Sequence, residues 1–482
     1  MADALWTASE LAAVFGNPAE GAMPEGVGGI SIDTRTAQSG DLFFAIKGDR
    51  TDGHDYLEEA FAAGAALAVV RHDFDGKADG PLIRVPDTLE AMSALGRAGR
   101  ARSGAKIIAV TGSVGKTSTK EMLRLLLGRL GRVHASDKSY NNHWGVPLSL
   151  ARLPREAEFA VFEIGMNHAG EIAPLTRMVS PHVAIITTVA PVHIEFFDGI
   201  EGIAEAKAEI FQGVVKGGDA VLNRDNDQFA LLARRAAEAG VARILAFGRS
   251  GEADWQLTKL TPQNGGSEVH AQGNGEDTQG FKLTYRIGAP GEHFAMNSLA
   301  ALAAVEAVGG DVTRAVPALT EFGAPAGRGA QTAHDVGAGS VTLIDESYNA
   351  NPASMGAAFK VLGSFPSNDH ARRIAVIGDM LELGERSDAL HEGLAAPIED
   401  AGIDIIFCCG PHMGALFRKL PSNRRGAWAE TSEKLKDIVL GAIRPGDAIM
   451  VKGSLGSRMG LLIDAIKQTY PQRAPARTIA AE

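Results

Sequence analysis

The stretch AVTGSVGKTSTKEM, Ala109–Met122, decides how the chain is read. An apolar run, KIIAV from Lys106, leads into it, and an amphipathic run, TSTKEMLRLLLGRLG, leads out. Strand, glycine turn and helix in that order bring free backbone N–H groups and the positive end of a helix dipole to one spot, which suits a phosphate. Gly112 and Gly115 let the backbone come close, Lys116 can reach the β and γ phosphates, and the Thr117 hydroxyl can hold Mg²⁺. The common P-loop carries a glycine six residues before its lysine, and here Val110 occupies that position. A chance glycine turn with a surface lysine is the alternative; the strand–turn–helix order favours phosphate binding.

Working outward, 482 residues are too many for one core, so two or three domains are expected. With 45% hydrophobic and 22% charged residues the composition is that of a soluble globular protein. A net charge of −11 argues against nucleic acid as the main partner, but small anionic substrates need only a local cluster of donors. The adjacent Cys408 and Cys409 follow the apolar IDIIF, which reads as buried thiols in a reducing cytoplasm. The start, MADALWTASELAAVFG, lacks the basic-then-apolar pattern of a signal peptide, and Thr7 and Ser9 look like helix caps. The longest apolar run, AFAAGAALAVV, is broken by Gly64 and reads as helix end, turn and strand. A cytoplasmic location, with no membrane-embedded part, is therefore expected.

Three segments are expected, 1–104, 105–325 and 326–482. The first holds the short strands of GISIDTR and GDLFFAIKG, a helix–turn–strand stretch, HDYLEEAFAAGAALAVVR, and a helix with a small-residue break, AMSALGRAGRARSG. The second repeats strand–turn–helix units, with strands in KIIAV, FAVFEIG, HVAIITTVAPVH and DAVLNRDN, then a polar, glycine-rich excursion between Gly248 and Gly280 and the alanine-rich helix MNSLAALAAVEAVGG. The third has strands in SVTLID, RRIAVIG, DIIFCCG and DAIMVKG. Alternation of strands and helices predicts an α/β protein: a small α/β N-terminal domain, a central parallel-sheet P-loop domain and a doubly wound C-terminal domain. Binding chemistry is expected at the strand C-terminal ends.

Several side chains fall at such ends. Glu163 closes FAVFEIG, where a carboxylate can take a metal brought by phosphates, or form a simple salt bridge. His193 in APVHIEFF is similarly open between ligand and satisfied polar group. Lys207, in GIAEAKAEIFQG, reads by itself as a surface lysine. DESYNANPASM concentrates Asp345, Tyr348, Asn349 and Asn351 in one loop after a strand, the expected place to recognise a polar ligand, with a plain Asn-Pro turn as the alternative. VKGSLGSRMG, with Lys452 and Arg458, is a second, weaker anion-binding junction.

TGSVGKT, EIGMNHAGEI, the HIE after a strand, AKAEIF, GEHFAMN and PAGRG occur in the order, and over nearly the whole length, that resembles the Mur ligase and folylpolyglutamate synthetase superfamily. SYNNHWGVPLSL, DESYNANP, GDMLELG and VKGS are most similar to the branch that joins D-alanyl-D-alanine to a UDP-N-acetylmuramoyl-tripeptide. The branch that adds the third residue carries Asp-Asn-Pro-Arg where this chain has Asn349-Ala350-Asn351-Pro352.

The resemblance implies a UDP-sugar domain, a central ATPase and a Rossmann-like C-terminal domain that closes over ATP and the dipeptide. It implies an ADP-forming ligase of cytoplasmic peptidoglycan synthesis, serving cell-wall biogenesis, cell shape and division. ATP would activate the tripeptide carboxylate as an acyl phosphate, with two Mg²⁺ ions neutralising charge. By motif, Thr111, Gly112, Ser113, Val114, Gly115, Lys116, Thr117 and Ser118 would hold the phosphates, with Thr117 and Glu163 on one metal, and His193 and Lys207 on the other. Lys207 would be carbamylated. Asn297 would meet adenine, although Phe294 replaces the family's usual Asn after His293; Arg328 would reach the γ-phosphate. Asp345, Tyr348, Asn349 and Lys452 would line the ATP and dipeptide side. Asp33, Thr34, Arg35, Asn141 and Asn142 would meet the UDP-muramoyl peptide. The expected partners are these small molecules, and a monomer is expected.

The nearest rival is a sister ligase adding an amino acid or glutamate. A P-loop switch would need no amine substrate and leaves DESYNANP without a role. A non-catalytic UDP-sugar binder conflicts with the intact GKT.

Overall fold

The structure, a computed structural model, describes residues 4–16, 19–48, 51–137, 139–263, 265–274, 280–367 and 371–473. It is α/β throughout, built on three main sheets. The N-terminal sheet is all parallel, in the order Gly29–Ser31, Asp41–Phe44, Leu67–Arg71, Leu82–Val85. Thr7 caps the helix Ala8–Phe15 in a capping box with Glu10, while Ser9 lies inside the first turn and is not the cap.

The central sheet has nine strands, and the P-loop strand Lys106–Thr111 runs parallel between Phe159–Glu163 and Val183–Ile186. Its alternation explains why both faces are covered. Ile108 and Val110 pack with Met122 and Leu126 on one side, and Ile107 and Ala109 pack with Val146 and Phe211 on the other. Asp219–Asn223 and Arg243–Gly248 extend the parallel part. The polar excursion adds an antiparallel edge, Trp255–Gln263, Gly266–Gly273 and Lys282–Ile287.

The C-terminal sheet is parallel through Gly339–Glu346, Ala448–Lys452, Arg373–Gly378, Ile405–Cys409 and Arg425–Ala429, with Ala330–Val336 antiparallel at one edge. The same alternation sends Cys408 into one core and Cys409 into the other, both as free buried thiols. Burial pushes both thiols up, that of Cys409 to about 12.

The helix Thr88–Arg102, whose end carries the small-residue break, docks on the central segment. Its Gly96 and Gly99 lie against Pro147 and Leu150. Trp6 Nε1 donates to Ala151 O at 2.8 Å, and Leu148 and Ala151 complete the N-terminal core. The helix Gly145–Ala151 of SYNNHWGVPLSL thus packs on both sides, with Leu148 and Ala151 in the N-terminal core and Val146 and Leu150 in the central one. Among the described residues no helix is long and apolar enough to cross a membrane.

Candidate active site

The P-loop leaves the middle of the central sheet and is tied to the next strand exit. Ser113 N donates to Thr188 O and Ser113 Oγ to Ala190 O, both at 2.9 Å, and Thr187 Oγ1 donates to Val114 O at 2.6 Å. Gly112 and Gly115 have φ of 145° and 90°. A Cβ at Gly112 would lie 1.9 Å from Thr187 Oγ1, and one at Gly115 would lie 2.7 Å from Asn297 Oδ1, so only glycine fits either place. Gly115 is the N-terminal cap of the helix Lys116–Gly128, which leaves the first N–H groups of that helix for a ligand. Lys116 Nζ donates to Gly112 O at 2.7 Å and curls over the loop. Burial holds this ammonium below the usual lysine range; Glu163 favours its charge and Arg328 opposes it.

Glu163 is buried at the end of its strand, in register beside Val110. Its two oxygens accept from Thr117 Oγ1 at 2.9 Å and from Asn141 Nδ2 at 2.8 Å. The carboxylate is thus aimed at the P-loop hydroxyl rather than salt-bridged at the strand end. His193 adopts a left-handed conformation, φ 58°, and its Nδ1 bonds the Glu382 carboxylate of the C-terminal segment. Burial lowers its basicity, Glu382 opposes this, and Lys116 and Lys207 add to it.

Lys207 is not the surface lysine its helix suggested. It is 3% exposed on the helix Ile200–Ala208, and no hydrogen-bond or ion-pair partner for it is found among the described residues. Burial first, and Lys116 second, push its pKa well below the ordinary value, so the neutral amine is favoured. A short Ala/Glu/Lys helix looks the same in sequence whether its lysine faces water or the core.

Residues of the C-terminal segment close the other side. Arg328 stacks on Tyr348 at 4.1 Å, and its Nη2 donates to Ser139 Oγ at 3.3 Å. Lys452 is buried and donates to Glu346 Oε2 at 3.1 Å and Asn349 O at 3.0 Å. A cavity of about 400 Å³ results, lined by Lys116, Glu163, His193, Asn297, Arg328 and Lys452 among others. Ser113, Val114, Gly115, Ser118, Asn141, Tyr348 and Asn349 also border it.

Other expected site residues lie elsewhere. Thr111, Gly112 and Thr117 are not among the residues lining the cavity, and the Thr117 hydroxyl donates to Glu163, which is. Asp345 turns inward, where its Oδ1 accepts from Ser347 N and Oγ, and the neighbouring Glu346 is the carboxylate at the cavity. Asn142 Oδ1 accepts from Gly145 N at 3.0 Å, ahead of the helix Gly145–Ala151, and Asn142 borders a second cavity of about 880 Å³, lined by Arg97, Arg100, Glu171 and Arg177. Gly165 borders both cavities, so the two adjoin. Asp33, Thr34 and Arg35 line neither, and the exposed Arg35 pairs with Asp33 at 2.6 Å.

Sequence reading passed over Thr187, His293, Glu346 and Glu382. Glu346 adjoins the chosen Asp345, and His293 lies in the GEHFAMN motif that also holds Asn297. Nothing local marks Glu382, whose partner lies 189 residues away.

The donor set fits Mg²⁺ in part. A hydroxyl and a carboxylate beside a phosphate-binding turn suit a hard cation that keeps water and takes phosphate oxygens. His193 with a cationic Lys207 would repel a metal, and the pair fits only with the lysine charge removed, which burial favours. Among the described residues no cluster of three or more His, Cys, Asp or Glu side chains could hold a metal unaided.

Family models match in three consecutive stretches: Mur ligase family, catalytic domain, over 26–100; Mur ligase middle domain over 110–305; and Mur ligase, glutamate ligase domain, over 331–455. The UDP-N-acetylmuramoyl-tripeptide–D-alanyl-D-alanine ligase of Rickettsia prowazekii is 32% identical over 90% of this chain and 94% of its own. The Escherichia coli enzyme of the same name is 33% identical, covering 91% and 93%. Among solved structures, MurF from Acinetobacter baumannii superposes with a TM-score of 0.81 at 30% identity, covering 96% of this chain and 99% of that one. MurF ligase from Thermotoga maritima, in complex with ADP, gives 0.74 at 25% identity, covering 91% and 97%. A glycine-shifted P-loop, a buried glutamate behind it and a C-terminal sheet closing the cavity thus coincide with matches along nearly the whole sequence, and the chain belongs to the Mur ligase family.

Proposed function

We infer that the chain is an ATP-dependent ligase that joins D-alanyl-D-alanine to the terminal carboxylate of UDP-N-acetylmuramoyl-tripeptide, with ADP and phosphate as the other products. The observation that carries this reading is the similarity, at about a third identity over nine-tenths of the chain, to enzymes bearing that name. The cavity between the central and C-terminal sheets supports it, because each sheet contributes polar groups to one enclosed space.

A carboxylate is a poor electrophile, and transfer of the γ-phosphoryl group makes it an acyl phosphate with a good leaving group. The amine then attacks, a tetrahedral intermediate forms, and phosphate departs. Lys116 and the N–H groups at the start of its helix hold the phosphates in this reading. Arg328, stacked on Tyr348 at the cavity, would reach the transferred group; its place in the lining supports this. Asn297, packed against Gly115, sits close to the phosphate turn, nearer than a contact confined to adenine would require. Thr117 with Glu163, and His193 with a carbamylated Lys207, would hold Mg²⁺, which would supply positive charge to the phosphates. The neutral, buried amine of Lys207 is the form that can add carbon dioxide.

Tyr348, Asn349 and Lys452 would face the dipeptide, and the second cavity, opening beside Asn142 and its arginines, suits the acidic peptide of the UDP-linked substrate. Roles follow for the segments: 1–104 for the UDP sugar, 105–325 for ATP and ligation, 326–482 for closure, with residues 474–482 outside the described structure. A cytoplasmic monomer acting in peptidoglycan synthesis is the corresponding cellular reading.

The test is ligation of D-alanyl-D-alanine to two UDP-N-acetylmuramoyl-tripeptides that differ only in lysine or meso-diaminopimelate at the third residue. ATP-dependent pentapeptide from at least one is expected. Product from neither overturns the assignment.

A further inference from the structure

The Asp379–Gly384 loop, from GDMLELG, meets the 193–195 turn of the central segment at three points. Ile194 packs against the central core and against the C-terminal core that contains Met380 and Leu383. Gly384, with φ 59°, lies where its Cβ would be 3.1 Å from Glu195 Cβ. Between these contacts the Glu382 carboxylate bonds His193 Nδ1. Among the described residues only four non-glycine residues have positive φ, and His193 at 58° and Glu382 at 61° are two of them. Such backbone strain persists where surrounding structure imposes it, and it concentrates at working sites. The loop itself is held firmly: Met380 N donates to His391 Nε2 and Leu381 N to Ser454 Oγ, both at 2.9 Å.

A half-exposed His–Glu contact contributes little to docking two domains. Its value lies in orientation. A carboxylate on Nδ1 keeps that nitrogen protonated and turns the ring so that the Nε2 lone pair is free for a cation, the arrangement common around metal-bound histidines. His193 borders the phosphate cavity. We propose that Glu382 is a positioning residue for His193, so that the C-terminal domain completes the metal site when its GDMLELG loop docks on the 193–195 turn. This rests on the reading of His193 and Lys207 as the second Mg²⁺ site.

Two measurements test it on the full chain. The first is Mn²⁺ binding in the presence of a non-hydrolysable ATP analogue, followed by the electron paramagnetic resonance of free Mn²⁺. Two classes of site are expected in the parent. Glu382→Ala should weaken one of them about 10- to 100-fold, leaving the other class and the metal-free affinity for the analogue unchanged. Glu382→Gln, whose carbonyl can still accept the Nδ1–H, should recover most of the loss, and Leu381→Ala should lose nothing. Unchanged Mn²⁺ binding in Glu382→Ala overturns the proposal, whatever happens to turnover. A parent with a single class overturns the second metal site itself, and the proposal with it, without touching the ligase assignment. The second measurement needs no variant: ¹⁵N shifts of His193 in the metal-free parent should show a protonated Nδ1 and a bare Nε2, and the opposite tautomer overturns the proposal.

Discussion

Replacing Glu163 by glutamine separates its electrostatic role from its structural one. The carboxylate accepts one hydrogen bond from Thr117 and one from Asn141, and it is 1% exposed. Glutamine has the same shape. Its carbonyl can accept from Asn141 while its amide donates to the Thr117 hydroxyl, which rotates to accept. Each contact falls from a charge-assisted bond, about 1.5–3 kcal/mol, to a neutral one of about 0.5–1.5 kcal/mol, so the gross loss is about 2–3 kcal/mol. Relief from burying a carboxylate offsets part of it, and a net loss of about 1–2 kcal/mol of stability is expected. Catalysis should suffer far more. A bound metal is worth several kcal/mol of charge stabilisation, and each ~1.4 kcal/mol is a factor of ten in rate. Loss of about 4 kcal/mol lowers turnover roughly 1,000-fold. Phosphate release with all substrates present, read beside thermal unfolding, distinguishes the two effects. A folded Glu163→Gln protein within about ten-fold of the parent rate would refute the reasoning, because Glu163 would then be only a strut between Thr117 and Asn141.

Three further outcomes are expected. Lys207→Met should raise the unfolding midpoint of the ligand-free protein while abolishing ligation, since the buried amine has no partner among the described residues. Lys207 is depressed in the folded state, so the unfolded chain binds more protons and stability rises with pH up to the ordinary value of 10.5; the methionine variant should lose that slope. Glu346→Ala should destabilise by about 3–5 kcal/mol in chemical denaturation, because it strands the buried Lys452 with only Asn349 O; a loss below about 1 kcal/mol would show that Lys452 needs no counter-charge. Although burial alone would raise it, Glu10 is lowered to about 2 by Thr7 and Arg102. Its contribution is present above the ordinary 4.5 and is lost as pH falls toward 2. Glu10→Gln should flatten acid unfolding across that window, and an unchanged acid limb counts against the Thr7–Glu10–Arg102 link.

Much of this architecture was legible in residue order. KIIAV, FAVFEIG and the strands of the third segment alternate between two covered faces, and their apolar runs carry that signal directly. The P-loop was legible for the same reason, since strand, glycines and helix are contiguous. Lys207 was not, because its burial depends on what packs over a short helix. The inward turn of Asp345 and the outward turn of Glu346 depend on strand phase at a loop boundary, where pattern is weakest. Asp33, Thr34 and Arg35 came from motif similarity alone, and the structure leaves them off both cavities. Glu382 required the docking of one domain on another, which no local pattern encodes.

The most direct test of the central claim is the amine specificity of ATP consumption. With UDP-N-acetylmuramoyl-tripeptide present, D-alanyl-D-alanine should drive ADP and phosphate release matched by equal amounts of pentapeptide, and single amino acids should drive neither. ATP turnover that ignores the amine, or product formed in preference from a single amino acid, would contradict the account.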